Sequence, residues 1–255
     1  MTAEAARVFP GAQAWSAAGG DVGVLLLHGF SGNPVAVRPL GEALAADGFS
    51  VELPRLPGHG TRWQDLRHTG WEDWARESLA GLARLQARTR AVVVCGLSMG
   101  GALALHVALE APEAVAGVCV INPMITHLGL VQRLLPLFAP FVRSAPGLGN
   151  DIALPGADEK PYDRFPTAAL ASFFKAQERL RPRLPKLRQP LLVLTSRRDH
   201  TVPVVNSLLL CAEAGSAQPR QVWLERSYHV ATLDHDAPLI VREVSAFARR
   251  LTTAS

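Results

Sequence analysis

"VVVCGLSMGGAL", Val92 to Leu103, passes from an oily, strand-like run into a helix-like one through a turn that carries glycine on both sides of Ser98. The first half is β-branched and apolar, as a strand buried on both faces is. The second half is rich in alanine and leucine, which favour helix. Between them, Gly96-Leu97-Ser98-Met99-Gly100 matches G-x-S-x-G in the strand–turn–helix setting of a nucleophile elbow. A reversal that tight leaves no room for side chains two residues before and after the serine, so glycine stands there. Ser98 is predicted to take a strained backbone conformation that lifts its hydroxyl above the sheet, beside the positive end of the following helix.

Outward from this point, short apolar runs alternate with helical patterns. Strands are predicted at 22–27, 49–54, 91–96, within 114–122, at 189–196 and at 220–225. Helices are predicted at 34–48, 71–88, 99–111, 203–214 and 236–251, with Arg38-Pro39 disturbing the first turn of the first of them. That alternation implies a mostly parallel sheet with helices on both faces. It stops from Pro123 to about Arg188, a stretch rich in proline and leucine that predicts two or three short amphipathic helices. The expectation is one domain over 1–255, with 123–188 inserted as a small helical cap above the carboxyl edge of the sheet, where ligands bind in such folds.

A serine hydroxyl is a weak nucleophile and needs a base, oriented in turn by an acid. On this type of sheet the chain order is serine, acid, histidine. Eight histidines compete. His229, in "ERSYHVATLDHD", directly follows the last predicted strand and is the preferred base, with His235 as its rival. His28 is expected to brace its loop and His106 to be a packed or surface side chain. The preferred acid is Asp199, in the loop after 189–196, whereas Asp234 and Asp236 suit turn or helix-start positions. The oxyanion of an acyl-transfer intermediate needs two donors. The backbone N–H groups of Met99, after the nucleophile, and of Phe30, in "LLLHGFSGNP", are predicted to supply them.

Composition narrows the class. The chain has 255 residues, 48% hydrophobic and 19% charged, which describes a globular protein and not a disordered one. The net charge of +4 comes from scattered arginines without a block of like charge, so a nucleic-acid partner is not expected. No stretch reaches the roughly 20 apolar residues of a membrane span. "MTAEAARVFPGAQAW" lacks the apolar core of a secretion signal. Cys95, Cys119 and Cys211, an odd count in apolar surroundings, fit reduced thiols in the cytoplasm better than a disulfide framework. There is no H-E-x-x-H and no paired C-x-x-C, so no metal is expected. A monomer or small homo-oligomer is the expected state.

"LLLHGFSGNP", "LPGHG", "HTGWEDW", "GLSMGG", "SRRDHTVP" and "SYHVATLDHD" occur in an order and spacing that resembles the small bacterial carboxylesterases and monoacylglycerol lipases of the α/β-hydrolase fold. The likeness spans about residues 22–250, and segment 134–161 departs most from the caps of that type. The resemblance implies Ser98, Asp199 and His229 as a catalytic triad, Phe30 and Met99 as the oxyanion pair, and no cofactor. It implies cleavage of short- to medium-chain carboxylic esters or monoacylglycerols. A carbon–carbon bond hydrolase on the same triad, and a non-catalytic ligand receptor on the same fold, are the competing expectations. Apolar residues at near-helical spacing in 128–142, among them Leu134, Leu137, Phe138 and Phe141, are candidates for an acyl pocket, the alternative being plain packing on the sheet domain. Val202, just after Asp199, is grouped with them as a substrate contact.

Overall fold

The structure is a computed structural model that describes residues 7–126, 129, 142–147, 149–217 and 219–253. Its centre is a seven-stranded sheet. The strands are β1 (Trp15–Ala17), β2 (Val22–Leu27), β3 (Ser50–Leu53), β4 (Ala91–Leu97), β5 (Gly117–Ile121), β8 (Leu191–Ser196) and β9 (Arg220–Leu224), in the spatial order β1-β3-β2-β4-β5-β8-β9. All neighbours run parallel except β1, which pairs antiparallel with β3. Strands β6 (Ala145–Pro146) and β7 (Arg164–Phe165) form a separate antiparallel ribbon.

The strands read as unbroken apolar runs because both of their faces are buried. In β4, Val92 and Val94 point into one core and Val93, Cys95 and Leu97 into the other. The first core is closed by α2 (Trp71–Gln86), α3 (Met99–Glu110) and α4 (Thr167–Leu180). The second is closed by α1 (Arg38–Ala46) and α6 (Ala237–Thr253). The remaining helix, α5 (Val205–Glu213), follows β8. Helix α3 is buried from Met99 to Leu105, so it lacks an amphipathic stripe.

The strands β2, β4, β8 and β9 and most helices lie within two residues of expectation. Three differences have local causes. The pattern at 34–48 begins as a 3₁₀ turn at Pro34–Ala36, and α1 starts only at Arg38, which places Pro39 in the first turn, where its missing N–H does no harm. Strand β1 is three residues long, too short for any alternation to be legible. Within 123–188 the described residues hold one of the expected helices, α4, and add a 3₁₀ turn at Arg181–Lys186 and the β6–β7 ribbon, whose two-residue strands are too short to be legible. Residues 127–128 and 130–141 lie outside the described part.

The topology fixes where a ligand can enter. From β2 the chain steps outward to β3, then crosses back to β4 on the other side of β2. Connections leaving β2 and β4 therefore diverge, and a crevice opens at the carboxyl ends of these two strands. Ser98 follows β4 and Phe30 follows β2.

Candidate active site

Ser98 has φ 58° and ψ −117°, outside the ordinary regions for a residue with a side chain. Its neighbours make that conformation the only one that fits. A Cβ on Gly96 would collide with the carbonyl of Gly100, and one on Gly100 with the carbonyl of Leu27. The Ser98 N–H donates to the Ile121 carbonyl at 3.0 Å, which pins the turn to β5. The strain, of the order of 1–3 kcal/mol in such positions, is held by this over-determined packing.

The loop after β2 abuts the serine. A Cβ on Gly29 would lie 3.4 Å from that of Ser98, so the loop that carries Phe30 closes on the serine, while Met99 opens the helix directly after it. His28 orients this loop. Its Nε2 accepts the Leu56 N–H at 3.2 Å, which leaves the ring proton on Nδ1 to donate to the Gly29 carbonyl at 3.0 Å. Burial lowers its pKa to about 4, so the ring stays neutral.

The structure brings His229 to Asp199: Nδ1 lies 2.7 Å from Oδ2, and both side chains are buried. Asp199 Oδ1 accepts the N–H groups of Thr201 at 2.8 Å and Val202 at 2.7 Å, which locks the carboxylate. Burial opposes a charge on His229. The Asp199 hydrogen bond, with the negative charges of Asp199, Glu159 and Asp151, outweighs it, and the pKa is raised. Asn122, at the end of β5, donates from Nδ2 to the His229 carbonyl at 2.7 Å and holds the loop from beneath. His235 lies elsewhere, its Nδ1 3.5 Å from Arg226 Nη2. His106 packs edge-on to Trp71.

Ser98 and His229 line one cavity of about 640 Å³, together with Gly29, Phe30 and Val202. One wall is apolar: Phe165, Leu170, Phe173 and Phe174, the last three from α4. The lining also includes a polar wall of Asn150, Asp151, Glu159 and His200. Glu159 is buried, and that burial pushes its carboxyl pKa up. Of the expected pocket residues, Val202 is at the cavity, and Leu134, Leu137, Phe138 and Phe141 lie outside the described residues. The α4 wall was missed: "FPTAALASFF" reads as a helix within the insertion, and nothing in it marks a cavity wall. Asp151 carried no signal, since its partners His200 and His229 are remote in sequence. Among the described residues no group of three or more His, Cys, Asp or Glu could hold a metal ion, and no helix is long and apolar enough to cross a membrane.

This arrangement can do acyl transfer: a hydroxyl on a strained turn, an imidazole with its tautomer set by a carboxylate, and a helix N-terminus beneath. The model of the alpha/beta hydrolase family matches residues 24–242. A thermostable monoacylglycerol lipase of Bacillus sp. (strain H-257) is 36% identical over 95% of this chain and 96% of its own length. A carboxylesterase of Bacillus subtilis (strain 168) is 28% identical over 91% of this chain and 94% of its own. A solved structure from a study of LipS and LipT, two metagenome-derived lipolytic enzymes, superposes with a TM-score of 0.92 at 36% identity, covering 96% of this chain and all of that one.

Proposed function

The chain belongs to the alpha/beta hydrolase family, and from that premise we infer that it is a serine hydrolase of carboxylic esters, with Ser98, Asp199 and His229 as its triad. Ser98 Oγ attacks the ester carbonyl carbon while His229 Nε2 takes its proton. Asp199, bonded to Nδ1, keeps the imidazole in the right tautomer and stabilises the imidazolium. The N–H groups of Phe30 and Met99 receive the oxyanion, with the N-terminus of α3 adding positive potential. The tetrahedral intermediate collapses, the alcohol leaves with the proton from His229, and Ser98 holds the acyl group. Water, deprotonated by His229, then attacks the carbonyl carbon of the acyl-Ser98 ester, and collapse of the second intermediate expels Ser98 Oγ, which takes the proton back from His229 as the acid leaves. No cofactor enters any step.

The observation that carries this assignment is a serine at φ 58° that shares a cavity with a histidine bonded to a buried carboxylate. The relatives are named for ester hydrolysis, which favours esters over the carbon–carbon bond hydrolase and the receptor. A cavity of about 640 Å³ is of the size that encloses a small-molecule ligand. We assign the acyl chain to the wall formed by Phe165, Leu170, Phe173 and Phe174, and a hydroxylated alcohol half to the wall with Asn150 and Glu159. Segment 123–188 is the cap that supplies both walls. The thiols Cys95, Cys119 and Cys211 are unpaired, which suits the cytoplasm.

The test is active-site labelling. A fluorophosphonate should modify Ser98, and Ser98→Ala should lose labelling and at least about 10³-fold of ester turnover while its thermal unfolding stays close to the parent's. Parent-like turnover in Ser98→Ala defeats the assignment.

A further inference from the structure

Asp151 joins the two loops that carry Asp199 and His229, although it belongs to neither. It lies in the segment between β6 and β7. Its Oδ2 accepts the backbone N–H of His200 at 3.0 Å and that of His229 at 3.2 Å, and lies 3.5 Å from the Thr201 hydroxyl. Its Oδ1 lies 2.8 Å from His200 Nδ1. Its own carbonyl accepts the N–H of Val230 at 3.1 Å. The side chain of Asp151 is only 16% exposed, where hydrogen bonds to a carboxylate are little weakened by water. His200 directly follows Asp199, so the carboxylate grips one loop next to the acid and the other at the histidine itself. The grip is doubled by Asp234, whose carboxylate accepts the N–H groups of Ala153 at 2.7 Å and Leu154 at 2.9 Å from the same segment and of Tyr228 at 2.9 Å from the histidine loop.

We propose that Asp151 is a positioning residue of the triad, fixing the distance between the Asp199 loop and the His229 loop so that their hydrogen bond and the direction of Nε2 are set before substrate binds. The proposal rests on the triad assigned above. Loops at the carboxyl edge of a sheet are the parts of the fold freest to drift, and a 2.7 Å bond between two of them tolerates little drift. Asp151 supplies a shared anchor at the point where they meet. It also acts on charge. The ionisable groups facing His229 are Asp199 from the loop after β8, and Asp151 and Glu159 from the segment between β6 and β7, all acidic.

The experiment measures kcat, KM, the pH profile of kcat/KM and thermal unfolding on a soluble short-chain ester. The proteins are the parent, Asp151→Asn, Asp151→Glu, Asp199→Asn and the double variant Asp151→Asn/Asp199→Asn. Asp151→Asn should lower kcat by about ten- to a hundredfold, the penalty for a catalytic group misplaced by up to an ångström, with KM little changed. Its acid limb should move to lower pH, because one of the carboxylates that favour the imidazolium is gone. Asp151→Glu keeps the charge but displaces it, so kcat should fall with the limb in place. In the Asp199→Asn background, adding Asp151→Asn should change kcat by less than about threefold, since residues that act as a unit are not additive. Parent-like kcat in Asp151→Asn overturns the proposal, as does an equal loss in both backgrounds, which marks a merely structural role. Should Asp151→Asn fail to fold, parent-like kcat in Asp151→Glu overturns it. Failure of a fluorophosphonate to label Ser98 in the parent instead defeats the triad assignment.

Discussion

At the scale of single residues, the site depends on protonation. As the base of the proposed triad His229 must be neutral to accept the Ser98 proton, and its carboxylate surroundings raise its pKa above the ordinary 6.5. The acid limb of kcat/KM in the parent should therefore have its midpoint above 6.5, with activity gained as pH rises through it. A midpoint below that value would contradict the surroundings described. His229→Ala should lose nearly as much turnover as Ser98→Ala, and His235→Ala far less, because His235 faces Arg226 and not Asp199. Asp199→Asn should cost about 10⁴ in kcat, the loss expected when a triad acid can no longer set the tautomer. A dead His235→Ala with an active His229→Ala would reverse the two roles.

At the scale of elements, α4 separates two kinds of residue. Leu170 lines the cavity, whereas Phe173 also stacks on Trp71 with ring centroids 5.8 Å apart. Leu170→Ala should lengthen the pocket, at a cost to the fold of about 2–5 kcal/mol because Leu170 is also buried in the core. Each methylene newly buried by a longer acyl chain is worth about 0.8 kcal/mol, or roughly fourfold in binding. The acyl-length optimum of kcat/KM should shift to longer chains while short esters are still cleaved. Phe173→Ala should act mainly on stability, by about 3–5 kcal/mol. Unchanged chain-length preference in Leu170→Ala would remove α4 from the acyl wall.

At the scale of the whole molecule, two buried histidines tie stability to pH. His28 is fully buried with its pKa lowered to about 4. Burial lowers His59 in the same direction. Below pH 6.5 the unfolded chain takes up a proton that the folded chain refuses until about pH 4. Folding thus releases protons in this window, and stability is lost as pH falls through it. His28 alone should contribute about 3 kcal/mol of that loss, from 1.36 kcal/mol per pH unit. Urea unfolding at neutral pH and near pH 4.5 measures it, and His28→Asn should show a shallower fall. An identical fall in both proteins would place the acid sensitivity elsewhere.

The sequence by itself determined the sheet and the tight turn that holds Ser98. Apolar runs of strand length and the glycines around Ser98 are local properties, imposed by burial on two faces and by a turn too tight for side chains. The same locality marked Asp199 and His229 by their positions just after strands, and left His229 and His235 as rivals. Tertiary structure separated them, because which histidine meets Asp199 depends on how the loops after β8 and β9 lie over the sheet edge. It also decided the walls of the cavity. Leu170, Phe173 and Phe174 look like any amphipathic helix until α4 is laid beside Ser98. Asp151 and Asp234 look like loop aspartates until their carboxylates are seen to gather backbone N–H groups from separate segments. Except for the bond from Tyr228 to Asp234, those bonds join residues far apart in the chain, and no spacing within a single stretch of sequence encodes them.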